Sequence, residues 1–146
     1  MRLALKWAQK AADRDEVPVG AIIVTENGEI LSYGYNMRET WQTPLGHAEI
    51  IAIQRAAKKT GQWRLLDATL YVTLEPCIMC AGALVQSRIS RIVYGAKDPK
   101  GGGTDSLYQI PNDKRLNHQI QVTSGILAEE CSQILTTFFR QKRKRT

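Results

Sequence analysis

Two short clusters carry side chains able to do chemistry: His47-Ala48-Glu49 and Pro76-Cys77-Ile78-Met79-Cys80. Two cysteines three residues apart on the first turn of a helix point the same way, so both sulfurs can reach one tetrahedral ion. The positive end of the helix dipole favours their thiolates. The neutral imidazole of His47 offers a third ligand. Three protein ligands leave a fourth position open, which is what a catalytic zinc site needs, because the metal lowers the pKa of a water held there. Glu49 is close enough to His47 in sequence to face that water without binding the metal. It can take a proton from the water and return it to a leaving group.

Each cluster also has a plainer reading. His-x-Glu is common by chance, and Cys-x-x-Cys is also the mark of a redox pair. Both clusters start helices with a strand between them, and that combination favours the metal. Cys131 stands four residues from Leu127 and from Leu135, the spacing of a core position. His118 reads as a surface-loop residue, with a fourth metal ligand or a substrate contact as its other readings. A structural four-ligand site would have to recruit Cys131 or His118 from far along the chain, and is the weaker metal reading.

The elements that must position these clusters follow from periodicity. Leu3, Trp7 and Ala11, with Ala4 and Ala8, predict an amphipathic helix over Arg2 to Arg14, ended by Pro18. Gly20 to Val24 and Ile30 to Tyr35 flank Glu26-Asn27-Gly28-Glu29 and predict an antiparallel hairpin. Asn36 to Gly46 reads as a loop, and His47 to Thr60 as a helix closed by Gly61. Thr69 to Thr73, then Cys77 to Ser87, then Arg91 to Gly95 read as strand, helix and strand, hence a right-handed crossover and a parallel pair. Lys97 to Asn117 reads as a long surface loop, Gln119 to Thr123 as a fifth strand, and Leu127 to about Phe139 as a last helix. The expected fold is α/β in three layers, a five-stranded mixed sheet between flanking helices.

The chain has 146 residues, 43% of them hydrophobic and 23% charged, which excludes a collagenous or largely disordered protein. One domain is expected over residues 1–146, with a basic tail at 140–146. The net charge of +6 is uneven. Residues 1–87 are neutral, 88–115 carry +3, 116–139 carry −2, and the terminal segment from Arg140 to Arg145 carries +5. A polyanion partner and a merely solvated tail both account for such a run. No stretch approaches the roughly 18 apolar residues of a membrane helix, and the N-terminus lacks a signal-peptide core. Three cysteines are odd in number and too few for a disulfide framework, so a reducing, cytoplasmic compartment is expected.

His-x-Glu followed by Pro-Cys-x-x-Cys is the signature of the zinc-dependent nucleobase deaminases. The resemblance extends over nearly the whole chain, through Glu16-Val17-Pro18-Val19-Gly20-Ala21, Gly46-His47-Ala48-Glu49-Ile50, Asp67 to Ala83, Ser87-Arg88-Ile89 and Gly125 to Cys131. In these stretches the sequence resembles the bacterial tRNA-specific adenosine deaminases of the TadA type, within the cytidine deaminase-like superfamily. The resemblance implies the same five-stranded mixed sheet, a homodimer, one Zn2+ per subunit, no organic cofactor, and conversion of the wobble adenosine of a tRNA anticodon to inosine.

Carried over residue by residue, it implies that His47, Cys77 and Cys80 bind zinc and that Glu49 shuttles the proton. Asn36 matches the family's base-binding Asn, whose amide both donates to and accepts from a purine edge. Backbone groups of Ala48 would help complete the pocket, Asp98 would contact ribose, and Lys100 the phosphates. Asn36 and Asp98 also read as ordinary turn residues. The implied reaction is hydrolytic, at C6 of an adenine flipped out of the anticodon loop. Two rivals use the same residues: a deaminase of free bases or nucleosides, and a non-catalytic zinc-stabilised RNA-binding module. The sequence departs from the family at Thr43-Pro44-Leu45-Gly46, where Asp-Pro-Thr-Ala is usual, and at the start, where members commonly have residues before the match to Met1-Arg2-Leu3.

Overall fold

The computed structural model describes residues 1–145; Thr146, the last residue of the expected basic tail, lies outside the described residues. Its elements are α1 (Arg2–Asp13), β1 (Gly20–Val24), β2 (Ile30–Tyr35), α2 (Arg38–Trp41), α3 (Ala48–Thr60), β3 (Thr69–Leu74), α4 (Ile78–Gln86), β4 (Arg91–Ala96), β5 (Gln121–Thr123) and α5 (Ala128–Arg145). The five strands form one sheet in the order β2-β1-β3-β4-β5. β1 runs antiparallel to β2 and β3, while β3, β4 and β5 are parallel. This is the mixed sheet expected, built from a hairpin followed by a strand-helix-strand crossover.

The side-chain alternation of the hairpin sorts the helices onto two faces. Ala21 and Gly34 are register partners and face α3, whereas Gly20, one residue earlier, faces α1. Gly34 decides how closely α3 can approach: a Cβ there would lie 2.3 Å from the Ala48 carbonyl oxygen and 2.9 Å from the Ala52 nitrogen. With only hydrogen at that position, the first turn of α3, which carries Glu49, seats directly on β2. Ser32 adds a hydrogen bond from its hydroxyl to the Ala52 carbonyl at 2.7 Å. The core between sheet and helices is aliphatic, with Ile23, Leu70, Val72, Leu84, Ile89, Ile92 and Ile120 all essentially buried.

Four expectations are corrected. The segment Asn36 to Gly46 is not a plain loop; it holds the short helix α2. Its first N–H groups lack partners within so short a helix. The buried carboxylate of Glu16 accepts two of them, from Glu39 at 3.1 Å and Thr40 at 2.5 Å. The segment Lys97 to Asn117 is not simply a surface loop, since Gly102, Gly103 and Thr104 are buried against the turn that carries Cys77. The fifth strand is three residues long, and α5 continues past Phe139 to Arg145, so the basic tail is helical over the described residues. Good helix formers (Arg, Gln, Lys) occupy those last turns, and cations there complement the helix dipole.

Candidate active site

The ligand cluster is assembled from two helix starts. His47 is the N-cap of α3 and Cys77 the N-cap of α4, both with extended backbone, and Cys80 lies on the first turn of α4. His47 Nδ1 stands 3.6 Å from Cys77 Sγ and 3.5 Å from Cys80 Sγ, and all three donor atoms lie within 4.8 Å of one another. A tetrahedral ion with metal–sulfur bonds of about 2.3 Å and a metal–nitrogen bond of about 2.05 Å sets the nitrogen–sulfur edge at about 3.6 Å. Both nitrogen–sulfur edges match such an ion.

Proton sharing within the cluster already favours a thiolate. The Cys80 thiol donates to Cys77, and together with the His47 ring it holds Cys77 down to about 4, against the rise that burial would cause. Cys80, as the donor of that bond and buried, is pushed far up. The hydrogen bond to Cys77 raises His47. Burial pushes Glu49 up to about 7; the residue is 4% exposed and its carboxylate interacts with the Cys80 thiol. A divalent cation among these donors would draw both thiols and the carboxyl toward their anionic forms.

A cavity of about 170 Å³ opens onto the cluster, with His47, Ala48, Glu49 and Cys77 on one side and Asn36, Arg38 and Asp98 around it. Its size is below the roughly 300–1,000 Å³ of drug-sized sites, which suits one ring system with the rest of a larger molecule outside. Asn36 enters it already oriented: Nδ2 donates to the Val17 carbonyl at 3.1 Å, and Oδ1 accepts the Arg38 N–H at 3.0 Å. One amide hydrogen and one lone pair of Asn36 remain for a ligand.

A family model described as MafB19-like deaminase matches residues 1–143. The tRNA-specific adenosine deaminase of Bacillus subtilis (strain 168) is 52% identical over 145 residues, which span 99% of this chain and 89% of the relative. This chain belongs to the tRNA-specific adenosine deaminase family. The deaminase of the same description from Streptococcus pyogenes serotype M18 (strain MGAS8232) is 51% identical, over 99% of this chain and 91% of its own length. A solved structure from work on A-to-I editing by tRNA:A34 deaminases at the wobble position of transfer RNA superposes with a TM-score of 0.88. It is 43% identical, over 92% of this chain and 97% of that one.

The deaminase fold thus places Asn36, His47, Ala48, Glu49, Cys77 and Asp98 on one pocket, with Cys80 buried behind it. Lys100 is exposed and does not line the pocket. Asp98 forms the turn that its place before Pro99 suggested: Oδ1 accepts the N–H groups of Lys100 and Gly101 at 3.2 and 3.1 Å. His118 is remote from the cluster, its Nε2–H donating to the Ile89 carbonyl at 2.6 Å. Cys131 is fully buried, packed against Gly95. Residues without a chemical signature were missed: Val17, Val19 and Leu74 form apolar wall, Arg38 a cationic one, and Glu75 a buried acid. Val17, Val19, Leu74 and Glu75 stand in stretches that carry the family resemblance, which marked their neighbourhood but not the part their side chains take in the pocket.

Proposed function

We propose that this chain catalyses hydrolytic deamination of adenosine to inosine at the wobble position of a tRNA anticodon. The observation that carries the reading is the burial of Glu49 beside the His47, Cys77 and Cys80 donors, in a pocket whose other wall holds the oriented amide of Asn36. A bare RNA-binding module gives no reason for a buried carboxylate there. The identities to tRNA-specific adenosine deaminases support the substrate.

Zn2+ is the proposed ion, held by His47, Cys77 and Cys80, because two thiolates and an imidazole in tetrahedral spacing are its preferred donors. When bound, it supplies a Lewis acid that lowers the pKa of water at its open position. The chain's own groups do the rest. Asn36 holds the purine edge through its free N–H and lone pair. The Ala48 N–H, at the first turn of α3, has no intrahelical partner and offers a donor to the pocket. Glu49 accepts a proton from the attacking water and delivers it to N1 of the base; it then takes the proton of the new C6 hydroxyl and passes it to the departing amine, so ammonia leaves and the carbonyl of hypoxanthine remains.

A cavity for one base implies that the rest of the RNA lies outside, on Arg38, Asp98, Lys100 and the basic end of α5. Arg145 pairs with Asp15 at 2.7 Å, next to Glu16 and the pocket residue Val17, so the tail ends near the pocket side of the fold. A second copy of the chain is the proposed partner. Ile78, Leu107 and Tyr108, each more than half exposed around Gly102, offer it apolar surface. No helix among the described residues is long and apolar enough to cross a membrane. A cytoplasmic location is proposed from the tRNA substrate.

The test is incubation of the zinc-loaded protein with an anticodon stem-loop RNA and, separately, with free bases and nucleosides. Inosine in the RNA alone is expected. Uracil or xanthine from a free base, without inosine in RNA, would establish the rival activity, and no product from either would leave the binding module.

A further inference from the structure

Glu75 stands between the end of β3 and the turn that carries Cys77, and the proposed chemistry gives it no part. Its side chain is 2% exposed. Oε1 accepts the Asp98 N–H at 3.0 Å and the Ser106 hydroxyl at 2.5 Å. Oε2 accepts the N–H groups of Thr104, Asp105 and Ser106 at 3.3, 2.8 and 2.8 Å. One carboxylate therefore satisfies four backbone donors of a segment that has no strand or helix to satisfy them.

The segment is also packed against that carboxylate. A Cβ on Gly102 would lie 2.2 Å from Oε2, so no larger residue fits while Glu75 keeps this place. Gly103 donates to the Pro76 carbonyl at 2.8 Å, which ties the same segment to the backbone beside Cys77. Asp98, at the start of the segment, lines the pocket. Its Oδ1 is engaged by Lys100 and Gly101, and no hydrogen bond among the described residues engages Oδ2.

We propose that Glu75 is a positioning residue for the substrate: it fixes the backbone of Asp98 relative to the Cys77 turn, and so the distance between a sugar contact and the reacting base. The inference rests on the nucleotide-deaminase reading above. It assigns the carboxylate a role in binding geometry that is separate from metal retention, even though it adjoins the metal-binding turn.

Glu75→Gln tests it, because the amide has the same size but turns an NH2 against backbone N–H donors. Zinc content is expected to stay at wild-type level, KM for the stem-loop to rise about tenfold, and kcat to change less than about twofold. Asp98→Ala is expected to raise KM by itself, and adding Glu75→Gln to it to change KM by less than about twofold, because one acts through the other. Ser106→Ala removes a donor from the opposite side and leaves Glu75 in place. A KM rise of about threefold that vanishes in the Asp98→Ala background is expected, and this decides the matter if Glu75→Gln does not fold. Unchanged KM in Glu75→Gln or Ser106→Ala, fully multiplicative effects with Asp98→Ala, or loss of zinc in Glu75→Gln would overturn the proposal. Absence of inosine with the wild-type protein would overturn the functional reading itself.

Discussion

The side-chain amide of Asn36 donates to the carbonyl of Val17, 19 residues earlier, at 3.1 Å. That bond settles which end of the amide is nitrogen and leaves one N–H and one lone pair free for the proposed contact with a purine edge. Asn36→Ala removes both and leaves the Val17 carbonyl without its donor. At least about a tenfold fall in kcat/KM on the stem-loop is expected, read from initial rates of inosine formation. Wild-type kcat/KM in that variant would remove Asn36 from the base contact.

Glu49 and Cys77 should fail in different ways. Glu49→Ala is expected to retain one zinc per chain and to lose about 10²- to 10⁴-fold in kcat, the usual worth of a positioned proton carrier. Cys77→Ala is expected to lose the metal, and with it activity that added zinc does not restore. Metal analysis and turnover on the same samples separate the two, and an active Glu49→Ala would dismiss the proton shuttle.

Arg38 is the cation on the pocket wall, and four more lie at 142–145, where Arg145 pairs with Asp15. Arg38→Gln, and deletion of residues 141–146, should each raise KM for the stem-loop while zinc stays bound. For every phosphate that the variant no longer neutralises, the slope of log binding constant against log salt should become shallower by about 0.7 to 0.9. The Arg145 to Asp15 pair is exposed on both sides, so truncation should barely change the melting temperature. A salt slope equal to that of the wild type would return the tail to a solvated face.

Acid stability should depend on Glu16. Burial alone would raise its pKa, but the N–H donors of Thr40 and Glu39, with the Arg38 charge, outweigh it and hold the carboxyl below its ordinary value. A pKa lower in the folded than in the unfolded state adds stability above the unfolded value, near about 4.3, and that stability is lost as pH falls through the folded one. Urea midpoints measured from about pH 7 to about pH 3 should therefore fall more steeply for the wild type than for Glu16→Gln. Parallel curves would mean that Glu16 does not hold α2 by its charge.

The donor cluster of this protein was legible in local spacing. His47 and Glu49 share one helix start, Cys77 and Cys80 share another, and the glycine turn at Gly28 and the crossover between β3 and β4 follow from patterns of a few residues. Such features depend on neighbours in the chain, so residue order alone determines them. The tertiary structure decided what depends on distant neighbours: that Asn36 is oriented by Val17, that Arg38 lines the pocket, and that the 98–106 segment is seated on Glu75. The partners of the Glu75 carboxylate lie 23 to 31 residues away. In one dimension Glu75 is a charge beside a proline. It becomes a clamp only when folding brings a strandless segment with unsatisfied N–H groups against it, because a buried carboxylate and buried donors are each costly alone and stable together.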